Sequence, residues 1–302
     1  MNPTLALSFG SAAASLTLNS WLRDLARRRK WCDPVDGESR GIKIHLQPTP
    51  FTGGIAIGAV FVTGLALSAW WLEPQVCSTK TWAIGAVAAL ALAVGSWDDF
   101  RWKHKSVPLP KFALQVTAAA LTGYCLRSPL PALFVLGAMN AYNLSDGIDG
   151  LAGGEAASSA LALGLVFTNS GQRELGAAAL ILAGAVAGFL VLNWHPAQVF
   201  LGDGGSHLVG ATLAAMAYVA GGIRPGPTGL VATLLLLGLP VIDAAWTVGC
   251  RLVERRPLFA GDRNHLYDLA RRLLSVRQTV IAMLVVHSGL VSIGAALLCR
   301  KT

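Results

Sequence analysis

Ten long apolar blocks divide this 302-residue chain, and they limit its fold more than any other feature. Each block has roughly 15 to 22 residues, the length of a helix that crosses the apolar interior of a bilayer. Only 13% of the residues are charged, compared with about a quarter in soluble domains. The sequence therefore predicts an all-α, polytopic integral membrane protein with residues 1–302 in a single membrane-embedded domain. The predicted spans are 4–22, 51–72, 82–97, 112–127, 131–145, 152–169, 175–193, 206–222, 227–249 and 279–299.

The basic residues indicate how these spans are oriented. Ten spans place both termini on one side of the membrane, and the loops of the opposite side then carry 18 of the 24 Lys and Arg residues. Because loops rich in Lys and Arg stay in the cytoplasm, we predict that this side is cytoplasmic and that both termini are extracytoplasmic. The net charge of +8 is then mostly a topology signal. Its spread over membrane loops argues against a nucleic-acid partner.

The acidic residues are concentrated at the same membrane edge. Ten of the 11 Asp residues fall in the predicted cytoplasmic loops, whereas Asp243 and Glu155 lie within spans. A charged carboxylate at the bilayer centre costs about 2.5–3.5 kcal/mol on insertion scales, and the edge position avoids that cost. A secondary transporter, the main alternative from another class, places its working acids near the midplane on broken helices. The distribution therefore favours a polar site where lipid and water meet.

Two segments at this edge carry the clearest chemistry. Asp98 and Asp99 close the third span, with Lys111 further along; adjacent carboxylates repel each other, and a cation relieves that repulsion. At the end of the fifth span, Asn140 and Asn143 share one helix face because they are three residues apart. Asp146 and Asp149 continue this spacing into a turn that contains glycine. The second segment predicts a polar pocket at a helix end.

Two further segments complete the set. Phe200-Leu-Gly202-Asp203-Gly-Gly-Ser precedes the eighth span, where glycines permit close approach to a phosphate and free helix N–H groups attract an anion. His265 lies among arginines in one of the two most basic loops, in the segment from Asp262 to Asp268. Together the four segments predict a site for a metal and phosphate groups.

In combination these segments resemble the polyprenyl-phosphate N-acetylhexosamine-1-phosphate transferase family (glycosyl transferase family 4), which includes the MraY, WecA and TagO types. The resemblance covers nearly the whole chain. Its most specific signal is the Asn-x-x-Asn-x-x-Asp-Gly-x-Asp-Gly motif. The other matching features are Pro48 to Gly54, the Asp98–Asp99 pair, Lys111, the segment from Phe200 to Ser206, and His265.

The resemblance implies transfer of a sugar 1-phosphate from a UDP-sugar to a polyprenyl phosphate at the cytoplasmic face of the bacterial plasma membrane. It implies catalytic roles for Asp98, Asp99, Lys111 and His265, and Mg²⁺, with Mn²⁺ as a substitute, on Asp203 and Asp99. The substrate-binding residues that it implies are Asn140, Asn143, Asp146, Asp149, Phe200 and Gly202. Direct attack by the lipid phosphate and a phospho-enzyme on Asp98 both stay open, as does a homodimer.

Two departures from the family pattern bear on the sugar. MraY-type enzymes have three consecutive histidines and WecA types usually have His-x-His-His, whereas this chain reads His265-Leu-Tyr267-Asp268. Phe51 stands where many WecA-type relatives have arginine. The histidine difference argues against the muramoyl-pentapeptide substrate, whereas Phe51 departs from the WecA pattern, so the sugar is less closely defined than the reaction. The chain resembles the WecA or TagO type more than the MraY type, which implies N-acetylglucosamine 1-phosphate, carried onto undecaprenyl phosphate to begin a cell-envelope glycan such as lipopolysaccharide or teichoic acid. Another UDP-N-acetyl sugar and the phospho-N-acetylmuramoyl-pentapeptide are the alternatives.

Overall fold

A computed structural model describes residues 3–33, 48–71, 78–101, 108–257 and 263–300, and these residues are almost entirely helical. The helices are α1 (Pro3–Arg29), α2 (Gly53–Trp71), α3 (Thr79–Arg101), α4 (Pro108–Cys125), α5 (Leu130–Ser145), α6 (Leu151–Asn169), α7 (Arg173–Asn193), α8 (Gly202–Gly221), α9 (Pro227–Leu237), α10 (Leu239–Val253), α11 (Leu266–Arg271) and α12 (Val276–Cys299). Two short strands, β1 (Cys32–Asp33) and β2 (Thr49–Pro50), pair in antiparallel orientation. The predicted all-α membrane fold is confirmed.

Each predicted span lies on a helix, but the ninth is not one helix. It is divided into α9 and α10, which meet at an angle of 88°. Gly238 between them has φ +62°, and Pro240 lacks the N–H that a continuous helix requires. Five helices, α2, α3, α6, α7 and α12, are long and apolar enough to cross a membrane, and the bent pair is a sixth candidate. The total of ten spans and the external termini stay predictions.

The centre of the bundle is formed by α7 and α8, whose residues are mostly buried. Small residues permit this close packing, as is common between membrane helices. In α7, a Cβ at Gly184 or Gly188 would collide with backbone carbonyls of α1, those of Ser8 and Ala12. In turn, α8 packs against α2, α3, α5, α6 and α9. The residue at the start of α8, Asp203, is therefore held at a point where several helix ends meet.

The start of α2 is attached directly to the start of α8. The Gly53 and Gly54 amides donate to the carbonyls of Phe200 and Leu201 at 3.0 and 2.9 Å. A Cβ on Gly54 would overlap the backbone of Gly205. The two glycines that end the segment from Pro48 to Gly54 thus permit the contact between these two helix ends.

Cysteine labelling tests the predicted topology. In a cysteine-free background, single cysteines at Asp33 and Pro225 are expected to react with a membrane-impermeant maleimide from opposite sides of the membrane, because the 18-to-6 division of Lys and Arg places the two positions in loops of opposite orientation. Inside-out and right-side-out vesicles provide the two sides. Labelling of both positions from one side would rule out this topology.

Candidate functional site

Three of the predicted site residues form an ion-paired group where α3, α4 and α8 meet. The Lys111 ammonium Nζ lies 2.7 Å from Asp98 Oδ2 and also contacts Asp203 Oδ2 directly. All three side chains are partly exposed. They lie 13 and 92 residues apart along the chain, so only the fold brings them together. The result is a basic group held between two carboxylates at the end of the bundle.

The asparagine motif, residues 140–150, reaches the same group from α5. Asn143 Nδ2 donates to Asp203 Oδ1 at 2.7 Å and to Ser206 Oγ at 3.1 Å. Both carboxylate oxygens of Asp203 therefore have a partner, Lys111 on Oδ2 and Asn143 on Oδ1. The segments from α3, α5 and α8 are thus in direct contact at one end of the bundle, and the prediction that they face the cytoplasm stays a prediction.

Asp99 contacts backbone amides of α8, whereas its neighbour Asp98 is paired with Lys111. Its Oδ1 and Oδ2 accept the backbone N–H groups of Asp203 and Gly204 at 3.1 and 2.9 Å. The expectation that these amides at the start of α8 stay free for a phosphate was wrong, because a carboxylate of the same chain already occupies them. Gly202 permits this contact, because it has φ +74° and a Cβ there would lie only 2.8 Å from Asp99 Oδ2.

The contact of Asp99 with α8 predicts a stability effect. Asp99→Ala is expected to lower the free energy of unfolding by about 1–2 kcal/mol, because two helix N-terminal amides lose their acceptor. Thermal unfolding of the detergent-purified protein measures this change. Asp24→Ala, at an exposed position on α1, is the matched control. An unchanged melting temperature for Asp99→Ala would contradict the capping role.

Two residues of the asparagine motif are engaged in holding the structure. Asn140 Nδ2 donates to Gln115 Oε1 at 3.1 Å, and Gln115 is in turn paired with His207 at 2.9 Å. Asp149 Oδ2 accepts from the His195 ring at 2.8 Å and from the Ala197 amide at 3.0 Å. The loop after α7 is thereby fixed to the turn after α5. Substrate binding by Asn140 and Asp149 stays a prediction.

Asp146, by contrast, is available. No hydrogen bond or ion pair within the described residues involves its carboxylate. Burial, together with the neighbouring carboxylates of Asp203, Asp99, Asp149 and Glu155, raises the pKa of Asp146 well above its ordinary value. The site is therefore short of positive charge on this side.

His265 is buried and paired with an acid that the sequence placed inside a span. Its Nδ1 lies 2.7 Å from Asp243 Oδ2 and 3.2 Å from Thr247 Oγ1. The other oxygen of Asp243 accepts the Leu266 amide at 2.6 Å. Asp243 was not among the predicted site residues, although it was the one aspartate within a span, and an acid within a span is usually functional.

Tyr267 connects the loop that contains His265 (the histidine loop, residues 263–268) to the asparagine motif. Its ring stacks on His265 with a centroid distance of 5.0 Å and an interplanar angle of 6°. The Tyr267 hydroxyl donates to the Leu144 carbonyl at 3.4 Å, and a Cβ on Gly147 would collide with it. The histidine loop thus docks on the turn that carries Asp146.

Phe200 lies at the junction of α2 and α8 with a half-buried side chain. Its backbone amide donates to the Pro50 carbonyl at 2.7 Å, and its own carbonyl accepts from Gly53. The structure thus gives Phe200 a role in joining two helix ends. Stacking of its ring on a uracil base stays a prediction.

Comparison with known proteins agrees with this geometry. The model of the family "Glycosyl transferase family 4" matches residues 81–221, the part that contains Asp98, Lys111, Asn143 and Asp203. A Bacillus subtilis protein named "Probable undecaprenyl-phosphate N-acetylglucosaminyl 1-phosphate transferase" is 27% identical over 264 residues, which cover 80% of this chain and 71% of the relative.

Two further relatives are 30% identical. One is the decaprenyl-phosphate N-acetylglucosaminephosphotransferase of Mycolicibacterium smegmatis, over 95% of this chain and 80% of the relative. The other is the phospho-N-acetylmuramoyl-pentapeptide-transferase of Aquifex aeolicus, over 82% of this chain and 79% of the relative. With this identity over most of both chains, and with the motif residues in mutual contact, the protein belongs to the polyprenyl-phosphate N-acetylhexosamine-1-phosphate transferase family.

Proposed function

We propose that this protein transfers a sugar 1-phosphate, N-acetylglucosamine 1-phosphate first among the candidates, from a UDP-sugar to a polyprenyl phosphate such as undecaprenyl phosphate. UMP is the second product, and the reaction takes place at the cytoplasmic face of the plasma membrane. The observation that carries the proposal is the contact of Lys111 with Asp98 and Asp203, to which Asn143 is hydrogen-bonded. Together with a bound divalent cation, these groups would suit the binding of a diphosphate at a membrane edge.

The proposed reaction requires little covalent chemistry from the protein side chains. An oxygen of the lipid phosphate attacks the β-phosphorus of the UDP-sugar, a new P–O bond forms, and the bond to the α-phosphate bridging oxygen breaks to release UMP. Phosphoryl transfer of this kind depends mainly on in-line positioning and neutralisation of charge. Asp98 accepts or orients the proton of the lipid phosphate, and the Lys111 ammonium offsets phosphate charge. His265 is positioned to offset charge as well, because Asp243 engages its Nδ1 and Nε2 has no hydrogen-bond partner among the described residues.

The residues present fit a magnesium ion. Among the described residues no three His, Cys, Asp or Glu side chains lie close enough to form a complete protein cage, but Mg²⁺ is usually held by one or two carboxylates and by substrate phosphates. The carboxylate of Asp146 has no hydrogen-bond or ion-pair partner in the described part of the chain and is affected by the neighbouring charge of Asp203, which indicates a site that needs positive charge. Asp203 is the first candidate ligand, because a carboxylate has about four lone-pair sites and Lys111 and Asn143 each engage one. Asp99, the second ligand in our sequence prediction, is engaged with the amides of α8. A bound divalent cation would neutralise the diphosphate of the donor.

Product analysis tests the function. Purified protein is incubated with undecaprenyl phosphate and a panel that contains UDP-N-acetylglucosamine, UDP-N-acetylgalactosamine and UDP-N-acetylmuramoyl-pentapeptide, with EDTA, Mg²⁺ or Mn²⁺. We expect one lipid-linked sugar diphosphate by mass spectrometry, with UMP, and no product in EDTA. A lipid product with N-acetylmuramoyl-pentapeptide alone would favour the alternative substrate. Absence of any lipid product across the panel would reject the function.

Release of UMP without lipid separates the two chemical routes. Direct attack requires the lipid acceptor, so UMP should be absent until polyprenyl phosphate is added. A phospho-enzyme on Asp98 would release one equivalent of UMP per protein in the absence of lipid. We propose direct attack, because Asp98 is already paired with Lys111, and a stoichiometric burst of UMP would contradict it.

A further inference from the structure

A second polar cluster lies inside the bundle, away from the ion-paired group. It is formed by Tyr142 and Ser145 of α5, Glu155 and Ser159 of α6, and His287 of α12, all of them buried. Ser159 Oγ lies 3.4 Å from the Tyr142 hydroxyl and 3.1 Å from His287 Nε2. The proposed reaction uses none of these side chains, and buried polar groups within membrane helices usually have a function.

His287 meets the break between α9 and α10. The Leu239 amide, the first of α10, donates to His287 Nδ1 at 3.2 Å. Gly238 allows this approach, since a Cβ there would lie 2.6 Å from the same nitrogen. An N–H group left unpaired in an apolar interior is unfavourable, so the imidazole replaces the hydrogen bond that the sharp bend removes.

The hydrogen bonds define the state of the imidazole. A backbone N–H can only donate, so Nδ1 of His287 must accept, and the ring proton of the neutral imidazole is on Nε2. Nε2 faces the Glu155 carbonyl at 3.0 Å and Ser159 Oγ at 3.1 Å. Both ring nitrogens are used, one on the start of α10 and one on α6. His287 therefore fixes the start of α10 to the neighbouring helix.

The orientation of α10 determines the position of the two side chains that hold the His265 ring. Asp243 lies four residues, about one helical turn, after Leu239, and it engages both the His265 ring and the Leu266 amide. Thr247, one turn further, contacts the same ring nitrogen. A shift at the start of α10 would therefore move both groups that hold His265.

We propose that His287 is a positioning residue of the transferase, which acts through the start of α10 and Asp243 on the orientation of His265. The inference rests on the proposed function, in which His265 offsets phosphate charge. The same cluster also reaches the asparagine motif, because Ser145 Oγ donates to Glu155 Oε2 at 2.6 Å and Ser145 directly precedes Asp146. The cluster thus connects the helices that carry the two halves of the site.

Two substitutions separate the functions of the ring nitrogens. In His287→Asn, the amide oxygen can replace Nδ1 and accept the Leu239 N–H; in His287→Gln, the amide nitrogen can replace Nε2 and leaves Leu239 without an acceptor. We expect His287→Gln to lower kcat about 10-fold, and His287→Asn to stay within about threefold of the wild type, with KM for the UDP-sugar little changed in both. Ser159→Ala, which keeps the Leu239 contact, is the control and should stay within about twofold.

A double-mutant cycle tests whether His287 acts through His265. In a His265→Ala background, His287→Gln should lower kcat by less than about twofold further, because the group on which it acts is gone. The proposal would be overturned if the decreases in kcat caused by His265→Ala and His287→Gln multiply fully in the double variant. It would also be overturned if His287→Asn lowers kcat as much as His287→Gln. Melting temperature and monodispersity are measured for every variant. A melting temperature of His287→Asn that is as low as that of His287→Gln counts against the proposal.

Hydrogen exchange keeps this inference separate from the proposed function. Mass spectrometry of the detergent-purified protein should show faster amide exchange in residues 239–247 for His287→Gln than for His287→Asn or Ser159→Ala. This readout needs no substrate. Absence of a lipid product from the wild type would reject the function alone, whereas equal exchange in all three variants would reject the connection from His287 to α10.

Discussion

Asp203→Asn is expected to reduce kcat by about 10³-fold, the upper range for loss of one electrostatic group in an active site. The Asp203 carboxylate contacts Lys111 with one oxygen and Asn143 with the other. Asparagine keeps the shape but loses the charge that pairs with the lysine and attracts a hard cation. Kinetics at saturating UDP-sugar and lipid, over a range of Mg²⁺ concentrations, measure the loss.

Asp24→Asn is the matched control for this substitution. It removes the same charge from an exposed position on α1 that is paired with Arg23, and its kcat should stay within about twofold of the wild type, because exposed ion pairs contribute little. Near-normal turnover by Asp203→Asn at ordinary Mg²⁺ concentration would contradict the assignment of Asp203. A melting temperature close to that of the wild type is required of both variants.

His265→Ala is expected to lower kcat by about 10²-fold, in the range for a positioned acid–base or electrostatic group. The imidazole is held by Asp243 and Thr247 on Nδ1. Asp243→Asn should also lower kcat, because an amide at this position can present its N–H groups to Nδ1 and change the favoured tautomer. The kinetics of both variants at saturating metal measure these losses.

Substitutions at Tyr267 distinguish packing from chemistry in the same loop. Tyr267→Phe should be mild, because the ring stack on His265 remains and the lost hydroxyl contact with Leu144 is long, at 3.4 Å. Burial raises the pKa of the Tyr267 phenol, so it stays neutral and can only orient a phosphate. Tyr267→His should bring no large gain. If Tyr267→Phe is inactive while His265→Ala remains active, Tyr267 and not His265 makes the larger contribution to catalysis.

Much of the fold could be predicted from the sequence, because the bilayer imposes a simple rule. Every backbone amide in lipid must be satisfied within the protein, so an apolar block of sufficient length becomes a helix. All ten predicted blocks lie on helices of the structure. The bend between α9 and α10 was not predicted, since an isolated Gly238 and Pro240 are also tolerated within continuous membrane helices. The imidazole from α12 that satisfies Leu239 cannot be identified from the residues near the break.

The meeting of four predicted site residues could also be predicted, but the individual contacts of each residue could not. Their shared position at one predicted membrane edge and the family resemblance indicated that Asp98, Lys111, Asn143 and Asp203 belong together, and they are in contact. Only the tertiary structure separated Asp98, paired with Lys111, from Asp99, which caps α8. Successive residues of a helix point about 100° apart, and their partners come from helices distant in the chain. For the same reason, the pairing of Asp243 with His265 was decided by the packing of α10 against the histidine loop.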